Sequence, residues 1–191
     1  MTARIREFLK HRTDEGPCLV VDLEVVRENY LAFAKALPDS RVFYAVKANP
    51  APDILKLLVE LGACFDVASV SETEAVLAAG APPERISYGS TIKKETEIAT
   101  AFRLGVTLYA VDCEAEVEKI ARAAPGARVI CRIHCDGSGA EWPLSRKFGS
   151  QPNLRDSGQS APDPSQWMRQ MTRAPGAARA IFSVSASQST A

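Results

Sequence analysis

Short apolar segments rich in β-branched and aromatic residues alternate along the first two thirds of the chain with longer segments of helical period. This alternation is typical of a parallel sheet whose strands are joined by crossover helices. The apolar segments predict six strands, at residues 18–21, 41–46, 65–68, 85–88, 107–111 and 128–133.

The intervening segments carry helix signals. Ile54, Leu57, Leu58 and Leu61 repeat at helical spacing before Gly62, which predicts an amphipathic helix over 53–61 with a glycine stop. Ser71 and Glu74 form a possible capping box for a helix over 71–79 that ends at Gly80. Apolar positions at 117, 120 and 121 predict a third helix that ends before Pro125.

The strands follow one another at intervals of roughly twenty residues. Right-handed crossovers of this length fit either a (β/α) barrel or a doubly wound sheet. A complete eight-stranded barrel needs about 250 residues, so a barrel in this chain would be incomplete. The pattern therefore predicts an α/β fold with about six parallel strands.

The composition changes near Ser150, which divides the chain into two predicted regions. Only Asp156 and Asp163 of the 23 acidic residues lie beyond it, and that part of the chain is rich in Ser, Gln, Pro and Ala. A segment with so little apolar periodicity cannot readily offset the entropy lost on ordering. We expect residues 1–149 to form the folded region and 150–191 to be an aberrant, largely disordered tail.

Charge and cysteine content exclude several classes of function. The formal net charge is zero, which argues against binding to nucleic acid. No apolar run approaches the ~20 residues of a membrane span, so we expect a cytoplasmic protein without a membrane partner. The five cysteines are scattered without a CxxC pair, which indicates reduced thiols and no metal site.

Polar residues follow several predicted strands, where the carboxyl ends of parallel strands form one rim. Lys47 follows the second predicted strand, Asp66 lies within the third, and Arg132 and His134 lie at the end of the last. A lysine held against a core loses solvation, which favours the neutral amine that forms a Schiff base. From its position alone, Lys47 is equally well a nucleophile or a solvated loop residue.

Four segments in register resemble the ornithine and lysine decarboxylases of the alanine racemase-like class, also called fold type III. They are 43–50 (Phe-Tyr-Ala-Val-Lys-Ala-Asn-Pro), 62–69 (Gly-Ala-Cys-Phe-Asp-Val-Ala-Ser), 86–94 (Ile-Ser-Tyr-Gly-Ser-Thr-Ile-Lys-Lys) and 142–149 (Trp-Pro-Leu-Ser-Arg-Lys-Phe-Gly). The resemblance covers most of residues 18–149. It implies a (β/α) barrel of the TIM type, followed in the complete family by a β-domain that is not visible in this sequence.

The resemblance also implies a cofactor, pyridoxal 5'-phosphate, and a set of residues around it. Lys47 would bind the cofactor covalently and act in catalysis, Ala45 would line its ring, Asp66 and Arg132 would lie beside it, and Glu72 would support that corner. Each side chain has a simpler alternative role. Asp66 could cap the following turn, Arg132 could pair with a surface carboxylate, and Glu72 could favour the helix dipole.

The implied activity is decarboxylation of ornithine to putrescine, a step of polyamine biosynthesis, in a homodimer. Lysine or another basic amino acid is an alternative substrate, and a non-catalytic regulatory or cofactor-binding homologue is an alternative class. Other family motifs, including the ring-stacking histidine, are not found, and His134 is not that residue. The resemblance therefore implies a truncated or frameshifted member, from which we expect no turnover alone.

Overall fold

The computed structural model describes residues 1–132 and the backbone of residues 180–182. Within this part, six helices precede or follow strands of a single sheet. The helices are α1 (Ala3–His11), α2 (Leu23–Ala36), α3 (Pro52–Glu60), α4 (Val70–Ala78), α5 (Glu95–Arg103) and α6 (Glu114–Ala123). The strands are β1 (Phe43–Ala45), β2 (Cys64–Val67), β3 (Ile86–Tyr88), β4 (Leu108–Val111), β5 (Arg128–Cys131) and β6 (Ala180–Phe182).

The strands pair in the order in which they occur along the chain, from β1 to β6, and every pairing is parallel. A doubly wound sheet would reverse its strand order at a switch point, whereas a sequential order is that of a barrel wall. The α/β architecture with about six strands is thus confirmed, and the order decides between the two arrangements that the sequence left open.

The main core lies between the helices and one face of the sheet, which we call the helix face. Phe65, Val67 and Tyr88 are each at most 1% exposed there. Tyr88 stacks on Tyr109 of the neighbouring strand, with ring centroids 6.0 Å apart. Because side chains alternate along a strand, the residues between these point to the opposite face, which we call the inner face. The inner face includes Ala45, Asp66, Ser87 and Ala110.

The predicted helices are confirmed with small changes in their boundaries. The predicted helix 53–61 is α3, and the helix that ends before Pro125 is α6. Gly62 and Gly80 adopt φ values of +84° and +99° after α3 and α4, a conformation that glycine adopts at little cost. The predicted capping box was wrong, because α4 begins at Val70, one residue earlier than expected, and is capped by Ser69 instead of Ser71.

Two of the predicted segments differ from the structure. Residues 18–21 form no strand, and Leu19 is 86% exposed. They lead instead into Asp22, whose side chain caps α2 by accepting the Glu24 N–H and also accepts from the Thr2 hydroxyl. In the segment expected to be disordered, Ala180–Phe182 pairs with β5, and the rest of that segment lies outside the described residues. Within the described part, no helix is long and apolar enough to span a membrane.

Candidate active site

Lys47 lies in a tight turn at the carboxyl end of β1. The chain passes from β1 into a 3-10 turn, Val46–Ala48, in which Val46 is fully buried. The Tyr44 hydroxyl donates to the Asn49 carbonyl at 3.0 Å, and the Asn49 side chain accepts the Ala51 N–H at 3.1 Å. Asn49 precedes a proline, which restricts it to the extended conformation that it adopts here. These contacts fix the turn that carries Lys47.

The Lys47 side chain is exposed, so of the two environments that its position left open, that of a solvated loop residue is the one found within the described part of the chain. The turn buries Val46 under the helices and leaves its neighbour in solvent. Lys47 still lies close enough for its charge to act on Asp66 of the adjacent strand.

Asp66 lies beside the end of β1 on the inner face. It pairs in register with Ala45 on one side and Ser87 on the other, so the three residues form one row across β1, β2 and β3. Asp66 is half-buried. Burial raises the pKa of its carboxyl to about 6, with Glu72 adding to the rise while the charges of Lys47 and Arg132 oppose it. A carboxyl of this kind exchanges a proton near neutral pH.

The backbone at Gly89 closes one side of the Asp66 carboxyl. Strand β3 ends at Tyr88, and the Gly89 N–H donates to the Val67 carbonyl at 2.8 Å. A Cβ at residue 89 would lie 2.6 Å from Asp66 Cγ and 2.7 Å from its Oδ2, closer than such atoms approach. Any larger residue at position 89 would therefore force the Asp66 carboxyl out of this position.

Glu72 is held at the start of α4 by a reciprocal set of hydrogen bonds. Its N–H donates to the Ser69 hydroxyl at 3.1 Å, and its carboxylate accepts the Ala68 N–H at 2.7 Å. This arrangement resembles a capping box and places a negative charge in the first turn, where the helix dipole favours it. Glu72 thus has the structural role considered from the sequence, that of a negative charge favoured by the helix dipole. Its charge also raises the pKa of Asp66.

Arg132 is the first residue after β5, and its N–H donates to the Val111 carbonyl at 2.8 Å. Its side chain is half-buried, and its positive charge opposes the rise in the Asp66 pKa. Lys47, Glu72 and Arg132 therefore all act electrostatically on Asp66. They come from the turn after β1, from α4 and from the end of β5, respectively. His134 lies outside the described residues.

Two charged residues near this rim were missed in the sequence. Lys93 and Glu116 are buried at 3% and 5% exposure, and Lys93 Nζ lies 3.6 Å from a Glu116 carboxylate oxygen. Glu116 is one turn before Ile120, on the buried side of α6. A charged residue on the apolar face of an amphipathic helix is the sequence signal that could have revealed this pair.

The residues at this rim fit a pyridoxal cofactor chemically. An exposed primary amine can bond to an aldehyde, while a carboxyl and a guanidinium beside it can orient a polar ring and its substituents. The glycine backbone at position 89 leaves the rim free of a side chain that would crowd Asp66. Among residues 1–132, no group of three or more His, Cys, Asp or Glu side chains could hold a metal ion.

The parallel sheet with sequential strand order defines the chain as an α/β protein of the barrel class, with a lysine in the turn after β1. The chain belongs to the family described as pyridoxal-dependent decarboxylase, pyridoxal binding domain, whose model matches residues 23–161. This membership confirms the family predicted from the sequence and the predicted cofactor, pyridoxal phosphate.

Relatives with several names match the same part of the chain. It is 42% identical over 137 residues to antizyme inhibitor 2 of Xenopus laevis and 40% identical over 134 residues to a lysine/ornithine decarboxylase of Selenomonas ruminantium. These matches cover 72% and 70% of the chain. They cover 30% and 34% of the two relatives, so the chain spans about a third of the length of the curated relatives it matches.

A solved structure shares the fold. The arginine decarboxylase of Paramecium bursaria Chlorella virus matches with a TM-score of 0.71 and 29% identity, over 78% of this chain and 40% of that one. The names of these proteins include ornithine, lysine and arginine decarboxylases and an inhibitor. Family membership therefore defines the class of basic amino acid decarboxylases without specifying a substrate.

Proposed function

We propose that residues 1–149 are part of the cofactor-binding barrel of a pyridoxal-phosphate-dependent decarboxylase that acts on ornithine. The observation that supports this most directly is the convergence of Lys47 and Asp66 at the carboxyl ends of two adjacent strands in a chain of this family. The residues of segments 65–69 and 91–94 resemble the ornithine and lysine branch of the family. Lysine or another basic amino acid is the alternative substrate.

Pyridoxal phosphate, when bound, supplies a ring that accepts the electrons left behind as carbon dioxide departs. Lys47 would hold the cofactor through Nζ until the amine of the substrate takes its place. Its exposure at the rim leaves that nitrogen accessible to an incoming amino acid. Ala45, in the same row as Asp66, presents a small side chain beside which a flat ring can lie.

Asp66 would hold or release a proton beside the cofactor, because its pKa of about 6 lies near neutral pH. Arg132 favours the charged carboxylate, whereas Glu72 favours the protonated acid. Glu72 is itself fixed by the Ala68 N–H at 2.7 Å, so its effect on Asp66 acts from a defined position.

Replacement of Lys47 tests the proposal. The 191-residue chain should bind pyridoxal phosphate with a visible absorbance band, and borohydride reduction should attach the cofactor to Lys47 in a peptide map. Lys47→Ala should abolish both signals because the bonding amine is gone. Lys56→Ala, which removes an exposed lysine from α3, is the matched control and should retain them. Equal binding by the two variants would overturn the assignment of Lys47.

A second candidate function is that of a non-catalytic homologue, which is favoured by the 42% identity to antizyme inhibitor 2. The presence of Lys47 favours the decarboxylase over the non-catalytic homologue, since a protein that does not bind the cofactor has no need of a bonding amine.

The substrate would be tested by measuring carbon dioxide release from ornithine, lysine and arginine. We expect no turnover from the 191-residue chain and a preference for ornithine in a protein of the relatives' length.

We further propose that a protein of the relatives' length is a cytoplasmic homodimer that binds a small-molecule amino acid and has neither a nucleic-acid nor a membrane partner. The balanced charge of the chain supports the absence of a nucleic-acid partner. Light scattering coupled to gel filtration would measure the mass of the assembled protein, and a monomer that is active at all concentrations would contradict the dimer.

A further inference from the structure

The ammonium group of Lys93, near the end of the segment between β3 and α5, is surrounded by oxygen atoms. Its side chain is fully buried. Nζ donates to the carbonyls of Ser90 at 2.8 Å, Thr91 at 3.3 Å and Ala110 at 2.7 Å. The first two bonds close the loop on itself, and the third joins the loop to β4.

Two residues of α6 complete this arrangement. Glu116 lies 3.6 Å from Lys93 Nζ and also pairs with Lys119. Lys119 Nζ in turn donates to the backbone carbonyl of Lys93 at 2.7 Å. Burial of two opposite charges costs desolvation energy that their attraction offsets only when the geometry is well defined. The cluster of Lys93, Glu116 and Lys119 therefore specifies one position of the loop relative to β4 and α6.

The same loop begins at the candidate active site. Residues 89–93 run from Gly89, whose backbone packs against the Asp66 carboxyl, to the buried Lys93. Strands β3 and β4 share a single register pair, Tyr88 with Tyr109. The bond from Lys93 to the Ala110 carbonyl thus links the segment after β3 to β4 beyond the point where strand pairing ends.

We propose that Lys93, together with Glu116, is a positioning residue that fixes the loop after β3 and thereby holds Gly89 against the carboxyl of Asp66. The inference rests on the proposed function in one respect only, which is that Asp66 belongs to the cofactor site. Lys93 itself contacts backbone carbonyls and Glu116 and does not act on the cofactor directly.

The titration of Asp66 measures whether Lys93 holds the loop in place. Charged groups act on it from after β1, from α4 and from after β5, namely Lys47, Glu72 and Arg132. The first cause of its raised pKa is burial, to which the packed Gly89 backbone contributes. Displacement of the loop would admit water to Asp66 while leaving the other three charged residues in place.

Lys93→Met tests the proposal, because methionine keeps the length of the side chain and removes its charge and hydrogen bonds. Lys94→Met, at an exposed position next in sequence, is the matched control. Nuclear magnetic resonance would follow two quantities in the cofactor-free chain, the exchange rate of the Gly89 amide and the titration midpoint of Asp66. We expect exchange about tenfold faster in Lys93→Met, and a midpoint displaced from about 6 toward 3.8.

Unchanged Gly89 exchange and an unchanged Asp66 midpoint in folded Lys93→Met would overturn the proposal, even if the variant were less stable. If that variant fails to fold, the double variant Lys93→Met/Glu116→Gln, which removes both charges of the buried pair, decides by the same two measurements. Pyridoxal phosphate binding is measured separately. Failure of the parent chain to bind it would refute the proposed function, while exchange and titration would still decide the role of Lys93.

Discussion

At the scale of single residues, the sequence predicts where Asp66 lies in the sheet but does not predict its pKa. Its place at the end of an apolar strand follows from the strand pattern. Its pKa depends on burial, and that burial depends on the neighbouring strands and on the backbone at Gly89, which only the folded chain brings together. The sequence left the exposure of Lys47 open for the same reason, since a 3-10 turn and not the strand sets the direction of its side chain.

The raised pKa of Asp66 predicts an effect on stability that depends on pH. The native state binds the proton more tightly than the unfolded chain, so Asp66 destabilises the fold as pH rises from about 4 to above about 6. The difference between about 6 and 3.8 corresponds to about 3 kcal/mol at most. Between pH 4 and pH 7, the parent chain should therefore lose about 1 to 3 kcal/mol relative to Asp66→Asn.

Urea unfolding of the cofactor-free proteins at the two pH values would measure this difference. Asp39→Asn removes an exposed carboxylate from the loop after α2 and is the control for a change of net charge alone. If the parent chain gained stability relative to Asp66→Asn between pH 4 and pH 7, the predicted direction of the pH effect would be wrong.

At the scale of elements, the periodic helices were predictable and their first turns were not. Ser69 and Ser71 both precede an apolar run with a glutamate three residues on, so the sequence offers two capping boxes for α4. The structure uses Ser69, because that choice lets Glu72 reach the Ala68 N–H. Residues 18–21 show the converse case, in which a β-rich segment forms no strand and leads into the Asp22 cap of α2.

The choice of cap is testable by paired substitutions. Ser69→Ala removes the acceptor of the Glu72 N–H and should lower the free energy of unfolding by about 1 kcal/mol. Ser71→Ala, at an exposed position within the first turn, should change it by less than about 0.5 kcal/mol. Chemical denaturation at neutral pH compares the free energies of unfolding of the two variants. A greater decrease in Ser71→Ala would indicate that Ser71 caps α4, as expected from the sequence.

At the scale of the whole molecule, the repeat of strand and helix was sufficient to predict a parallel α/β sheet. It was not sufficient to predict the strand order, since equal crossovers fit both a barrel wall and a doubly wound sheet. Four segments in register with one family supplied the missing information. No signal in the composition of residues 150–191 indicated that Ala180–Phe182 would pair with β5.

The sequential order of the strands also bears on how the chain reaches its native state. Phe43 pairs with Cys64 at a separation of 21 residues, whereas Val129 pairs with Ala180 at a separation of 51. Each early strand can therefore dock on its predecessor soon after it leaves the ribosome, without waiting for distant segments. By polymer statistics, the larger sequence separation of the last pair costs about 0.8 kcal/mol more closure entropy. We therefore expect translation from the amino end to assemble the rim with Lys47 and Asp66 first, and β6 to pair afterwards with the edge formed by β5.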